Sequence, residues 1–214
     1  LYYLSEFSFF PAIWIKSRLH GAAIAYDARD FYSEIETSAT ITPFQKLVVS
    51  FGKGIERKCI RQAKVFTTVG DGIADLFEKE FGRRPNVIYN AHDDRIDLTP
   101  EKSLRERFSL GREACVVVVV GQAKPGQDFS GLLGALGRLD ALNVAFVGNG
   151  YRERISMLDI PDLPADRIHF VENLPATEVV PLIREADASL IVYYDRSGNY
   201  RNALPNGFFQ SIAA

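Results

Sequence analysis

Residues 115–128 read "CVVVVVGQAKPGQD", and the class of fold turns on them. Five valines follow Cys115 without a polar break. A strand with one face in water would alternate apolar and polar residues. A continuous β-branched run suits a parallel strand buried on both faces. A glycine-rich turn and then a helical pattern near 128–140 complete a strand–turn–helix unit. Gly121 and Gly126 have the spacing of a phosphate-cradling loop, yet Gln127 and Asp128 stand where a P-loop places Lys and Ser or Thr. The turn can still offer backbone N–H groups and a helix N-terminus to a phosphate. An ordinary β–α turn with Asp128 as helix N-cap explains the same residues.

The rhythm extends in both directions. Further strands are expected at 22–26, 65–69, 86–89, 143–147, 167–171 and 188–194, with helices near 43–63, 71–81, 151–158 and 176–186. Alternation of this kind predicts an α/β doubly wound fold with parallel sheets flanked by helices. It breaks once, at a short charged helix between Pro100 and Gly111. Residues 1–97 and 114–214 are therefore read as two domains and 98–113 as the region that links them. Three strands before the break are few for a closed parallel sheet, so the sequence is read as part of a longer protein, open at both ends.

Composition excludes several classes. The 214 residues are 47% hydrophobic and 24% charged, enough to build cores and not the composition of a disordered chain. A net charge of −2 gives no global drive toward nucleic acid. Two cysteines, Cys59 and Cys115, are too few and too far apart for a disulfide framework or a metal site. Both are read as reduced thiols of a cytoplasmic protein, with Cys115 buried. No apolar run reaches membrane-span length. Arg57, Arg61 and Lys64 share one face of the charged helical stretch 54–65, a solvated face or a peripheral contact with an anionic membrane.

Three more stretches carry candidate chemistry. "AYDARDFYSE" (25–34) places Asp27, Arg29, Asp30 and Glu34 just past an expected strand, where open α/β sheets bind ligands. "VGNGYRER" (147–154) has two glycines of a dinucleotide fingerprint, Gly148 and Gly150, with Glu153 in place of the third and Glu172 near a ribose-binding position. "NYRNALPNGFFQSIAA" (199–214) opens a helix with Asn206 as N-cap, Gly207 close to a ligand, and Phe209, Ile212 and Ala213 as its buried face.

Taken in order, these stretches resemble a glycosyltransferase of the GT-B fold, in the family-4-like (group 1) set. "IAYDARDFYSE" is similar to that set's Tyr-Asp-x-His/Arg-Glu loop. "ERKCIRQAKVFTTVGDGIADLFEKEFGRRPNVIYNAHD" is similar to its basic helix, strand, helix and Pro-x-Val-Ile-x-Asn run. "VVVVGQAKPGQDFSGLLGAL", "NVAFVGNG", "RIHFVENLPATEVVPLIREADASLIVYY" and "ALPNGFFQSIAA" follow the order of its donor-binding domain.

The resemblance implies two Rossmann-like domains, both incomplete here. Residues 1–97 would lie on the acceptor side and 114–214 would form the nucleotide-sugar domain. It implies transfer of a sugar from a UDP- or GDP-linked donor to a saccharide or lipid-linked acceptor, with retention, in cell-envelope or exported polysaccharide synthesis. Catalytic-side residues would be Asp27, Arg29 and Asp30. Donor-binding residues would be Gly121, Gln122, Lys124, Gly126, Gly148, Gly150, Asn173, Asn202, Asn206, Gly207 and Gln210, with Asn90 at the hinge. No metal or other cofactor is required: cations and a helix N-terminus suffice for a leaving nucleoside diphosphate.

The sequence departs from that pattern. Gln122 stands for the usual Arg, and Lys124 is one place early for the usual Lys. The paired-glutamate positions fall on the amides Asn202 and Gln210, and Gly207 replaces a common Lys. A catalytically impaired GT-B-like nucleotide-binding or scaffold protein therefore stays open. A nicotinamide-dependent oxidoreductase, resting on Gly148, Gly150 and Glu172, and a nucleotide-sugar 2-epimerase stay open behind it.

Overall fold

The computed structural model describes residues 1–31, 43–96, 98–124, 127–160, 162–193 and 197–214. The chain divides into two compact units, Leu1–Tyr89 with Asp195–Leu204, and Asn90–Tyr194 with Pro205–Ala214. The sequence placed the boundary later, at 98–113, and did not foresee that a late segment groups with the first unit. Residues 98–113 are not bare connection. Ser103 caps the helix α4 (Leu104–Phe108) in a reciprocal box with Glu106, and Leu104 is wholly buried in the second unit's core.

The first unit holds a four-stranded parallel sheet in the order β1 (Tyr2–Leu4), β2 (Ile24–Ala28), β3 (Val65–Thr68), β4 (Asn86–Val87). Helices α1 (Phe10–His20), α2 (Pro43–Gln62) and α3 (Asp71–Phe81) make the crossovers that parallel neighbours need. β1 is an addition to the expected set; three residues of an aromatic stretch are too short for a period to show. Leu4, Ile24, Tyr26, Phe66 and Phe77 build a core on one face. Cys59 lies in that core, and Glu56 is buried beside it, accepting from the Tyr26 hydroxyl at 3.1 Å.

The second unit has a parallel sheet in the order β7 (Ile168–Val171), β6 (Leu142–Val147), β5 (Cys115–Val120), β8 (Ala188–Ser189). The valine run shows why it carries no polar break. Val117 and Val119 face Phe129, Leu133 and Tyr151, from helices α5 (Ser130–Leu136) and α6 (Tyr151–Ser156) and the turn before α5. Val116, Val118 and Val120 face Leu104 and the helix α7 (Ala176–Ile183). Both faces are covered, so no position tolerates a polar residue. Strand order reverses at β5: the chain builds β6 and β7 on one side and returns to place β8 on the other.

Several local expectations change. Cys115 is exposed, because burial begins only at Val116. Among the described residues of the strand expected over 188–194, only Ala188–Ser189 pair with a neighbouring strand. Asp27 lies inside β2, in register with Thr67, and not beyond its end. Phe129, not Asp128, is the N-cap of α5, though the Asp128 carboxylate accepts from the Ser130 N–H. Ile212 and Ala213 are exposed on the last helix, α9 (Asn206–Ala213), which follows the single turn α8 (Gly198–Arg201). The apolar repeat there overstates burial, since only Gly207 of that helix is fully covered.

Two measurements test these cores. Burial, with Glu56 beside it, pushes the Cys59 thiol up to about 12, while Cys115 is open to solvent. Native alkylation read by peptide mass spectrometry should modify Cys115 rapidly and Cys59 only on unfolding; equal rates would refute the packing. His169 is held below its ordinary value of 6.5 by burial, with Asp166 opposing; it stacks on Phe108 at 4.4 Å and bonds Asn143 at 3.0 Å. The unfolded chain therefore takes up this proton first as pH falls. Stability conferred by neutral His169 is complete above pH about 6.5 and declines below it. The urea midpoint should drop between pH 7.5 and 5.5, and the drop should shrink in His169→Phe.

Candidate functional site

In open α/β sheets the crevice for a ligand lies beyond the carboxyl ends of strands where their order reverses. In the second unit that place is the end of β5. The turns after β5, β6 and β7 are joined there by backbone. Gly121 N–H donates to the Val147 carbonyl at 3.0 Å and Gly148 N–H to Val171 at 2.8 Å. Ala123 N–H reaches the Asn149 carbonyl at 3.0 Å, and the Asn149 side chain accepts from Asn173 N–H at 2.8 Å. These bonds extend the parallel ladder past the strands.

The join is close enough to exclude side chains. A Cβ at Gly148 would lie 1.5 Å from the Gly121 carbonyl oxygen, and Gly148 has φ 136°. Gly121 (φ 124°) and Gly150 (φ 83°) also take backbone conformations that favour glycine. The glycines thus let two turns cross in backbone contact, and Gly150 stands at the N-cap of α6.

The turn after β5 is also held from α6. Gln127 is buried; its Oε1 accepts from Lys124 N–H at 2.8 Å, and its carbonyl accepts from Arg154 Nη2 at 3.0 Å. The Tyr151 hydroxyl lies beside Gln127 with no hydrogen bond among the described residues, and burial pushes that phenol up to about 12. The side chains of Gln122 and Lys124 are exposed on this turn. Gly126 lies outside the described residues.

The start of α9 lies at the same strand end. Gly207 packs so closely on the end of β5 that a Cβ there would lie 2.4 Å from the Val120 carbonyl oxygen. Its expected role of admitting a ligand becomes one of admitting the helix to the strand. Ser211 donates to the Gly207 carbonyl and meets the Ser189 hydroxyl, both at 2.6 Å. Asn206 is the first helical residue, and not the N-cap, because Pro205 holds the extended position before it. The Asn206 Oδ1 instead accepts from the Asn90 amide at 2.9 Å.

Gly121, Gln122, Lys124, Gly148, Gly150, Asn173, Asn206 and Gly207 thus gather at one end of this sheet, with Asn90 on Asn206. Gln210 is half-buried on α9. Asn202 groups with the first unit and Gln210 with the second, so no single unit unites them. Asn202 packs on Gly72, where a Cβ would lie 2.0 Å from its Oδ1, and donates to the Gly198 carbonyl at 2.7 Å.

In the first unit the Asp27 carboxylate is engaged on both oxygens. Thr67 donates to Oδ1 at 2.8 Å and Tyr3 to Oδ2 at 2.6 Å, with Arg29 Nε 3.5 Å from Oδ2. Tyr3 first, and then Asp27, hold the Arg29 guanidinium above its ordinary value, so it stays a cation. Asp30 is exposed, and Phe31 N–H donates to the Asn199 side chain at 2.8 Å. Glu34 lies outside the described residues. Among the described residues no cluster of three His, Cys, Asp or Glu is placed to hold a metal. A cleft of about 270 Å³ beside Trp14 and Gln62 borders Ile24, at the amino end of β2 and away from Asp27.

The sequence reading did not name Tyr3, Thr67, Asn149, Gln127 or Arg154 as parts of these sites. Asn149 had a signal, lying between the two glycines. Tyr3 and Thr67 reach Asp27 only through strand register, which no local pattern encodes.

No protein-family model matches the sequence, and no curated protein matches it. Solved structures do. Sucrose-phosphate synthase from Thermosynechococcus elongatus covers 85% of this chain and 48% of its own, with a TM-score of 0.64 at 14% identity. HepE from Anabaena in complex with UDP covers 87% and 51%, with a TM-score of 0.62 at 19% identity. WaaG, a glycosyltransferase involved in lipopolysaccharide biosynthesis, covers 87% and 57%, with a TM-score of 0.56 at 13% identity. The likeness is one of fold: this chain has the paired parallel α/β units of the GT-B type. It spans about half the length of those structures.

The glycine contacts make a graded prediction. Gly148→Ala should cost about 3 kcal/mol or more, because strain and a backbone clash combine. Gly207→Ala should cost about 1–3 kcal/mol, since α9 can shift. Gly134→Ala, in α5 with open space around it, should be neutral or stabilising by about 0.5–1 kcal/mol. Urea midpoints of the three variants check the order; equal effects at Gly148 and Gly134 would contradict the crossing.

Proposed function

We propose that this chain belongs to a nucleotide-sugar-dependent glycosyltransferase of hexosyltransferase type, with 114–214 contributing the donor side and 1–97 the acceptor side. One observation carries the reading. The end of β5, at the reversal of strand order, gathers the crossed glycine turns, an exposed Lys124 and the start of α9. The same fold occurs in HepE, which was solved with UDP and with UDP-glucose.

The chemistry suits that arrangement. Departure of a nucleoside diphosphate builds negative charge on its phosphate oxygens. The α9 terminus and the Lys124 ammonium would stabilise this charge more in the transition state than in the bound donor. Gln127 and Arg154 would hold the Lys124 turn in place. Asp27, Arg29 and Asp30 would face the acceptor. No step needs a divalent metal, so a chelator should leave the rate unchanged. Retention of configuration, a saccharide or lipid-linked acceptor, cell-envelope or exported polysaccharide as product, and action on the cytoplasmic side follow from the resemblance.

A specific observation favours a second reading. Asn202 is turned to Gly198 and Gly72 in the first unit, while Gln210 belongs to the second. With amides at both positions, the protein would bind nucleotide without turnover.

Calorimetry of the full-length protein against nucleoside diphosphates, paired with a labelled-sugar transfer assay, separates the readings. The first expects binding and transfer, with Lys124→Ala lowering kcat about 10²-fold. Binding without transfer or donor hydrolysis supports the second. No binding to any nucleoside diphosphate refutes both.

A further inference from the structure

Beside the turn after β5 lies a buried hydroxyl with nothing to bond. The Tyr151 ring is wholly buried and packs on Phe129 and Phe146, with ring centroids 5.6 and 5.1 Å apart. A phenylalanine would fill this aromatic cluster equally well. The hydroxyl adds only a polar group taken out of water, and it has no hydrogen-bond partner among the described residues. Such a group is destabilising, so its presence calls for a state in which it is bonded. Its place is specific. A Cβ at Gly121 would lie 3.9 Å from the Tyr151 hydroxyl oxygen, and Gln127 stands beside it.

The turn also has an N–H that can change partner. Gly121, Ala123 and Gly148 donate to main-chain carbonyls, and freeing them would break the ladder that joins the turns. The Lys124 and Asn173 N–H groups donate to side chains instead, to Gln127 Oε1 and Asn149 Oδ1, both at 2.8 Å. Of these two acceptors, only Gln127 has an unbonded buried donor beside it among the described residues. A terminal amide rotates about a broad torsion, so its oxygen can turn while the backbone stays. The Gln127 main chain is fixed separately, because Arg154 Nη2 donates to its carbonyl at 3.0 Å. Lys124 is exposed and Gln127 is buried, so a ligand meets the first and not the second.

We propose that Tyr151 is a positioning residue for the donor diphosphate: when a phosphate oxygen takes the Lys124 N–H, Gln127 Oε1 turns to accept from the Tyr151 hydroxyl. The hydrogen bonds balance. Lys124 N–H passes from the amide to the phosphate, the amide oxygen keeps a donor, and the hydroxyl gains its missing partner. The phosphate thus gains a backbone donor, and no buried group is left unpaired. This inference deepens the reading of 114–214 as the donor side and rests on it.

The test is calorimetry of the full-length protein with UDP and with GDP, together with thermal midpoints taken without nucleotide, for Tyr151→Phe, Gln127→Met and the double variant. Tyr151→Phe should keep or raise the nucleotide-free midpoint, since the hydroxyl is unbonded there. It should weaken the diphosphate about 3- to 10-fold, the worth of one hydrogen bond. In the Gln127→Met background the same substitution should change affinity by less than about 2-fold, because the amide that receives the hydroxyl is gone. A lowered nucleotide-free midpoint in Tyr151→Phe would overturn the proposal, by showing the hydroxyl bonded before the ligand arrives. So would unchanged affinity, or an equal loss in both backgrounds. In each of those cases the unsubstituted protein still binds and the donor-side reading stands. Absence of binding to either diphosphate by the unsubstituted protein would refute that reading and the proposal together.

Discussion

The second unit depends on one contact, the meeting of the Gly148 backbone with the Gly121 carbonyl at the end of its sheet. No side chain fits between them. Because the turns touch, backbone bonds can run from Gly121 to Val147, from Gly148 to Val171 and from Ala123 to Asn149. The ladder continues where strands ordinarily separate. Three turns from separate strands become one rigid rim, and the exposed groups on it hold fixed positions.

The helix α9 solves the same problem differently. Gly207 lets its first turn sit on the Val120 carbonyl, and Ser211 ties that turn to Ser189. Glycine here secures packing between protein backbones, so the terminus of the helix is brought to the strand end. The first unit uses glycine likewise at Gly72, which leaves room for Asn202, and at Gly70, where a Cβ would come within 2.9 Å of Leu204. A segment late in the sequence is thereby seated on the early unit.

Much of this was legible in advance. The valine run told its own story, because a strand covered on both faces cannot carry a polar residue, and each valine does face one core or the other. Turn glycines at Gly121, Gly148 and Gly150 were recognisable, as were the helices over 43–62 and 71–81. Cys115, Ile212 and the strand after Ala188 were misjudged for one reason: apolar character reports what can be buried, and not whether a neighbour arrives to bury it. Asp27 shows the converse. Its charge drew attention, but its partners Tyr3 and Thr67 come from other strands and appear only with register.

The sequence by itself determined the α/β class, the parallel sheets and the places where backbone must turn tightly, since these follow from side-chain period and from the conformations open to glycine. It also set the basic character of α2. Tertiary structure alone decided that the Gly121 and Gly148 turns cross, that Asn202 and Gln210 fall in different units, and that Phe44, Leu47 and Phe51 stay in water. Each of these is a relation between residues far apart in the chain, settled by which surfaces the folded elements cover, and a local pattern carries no record of that.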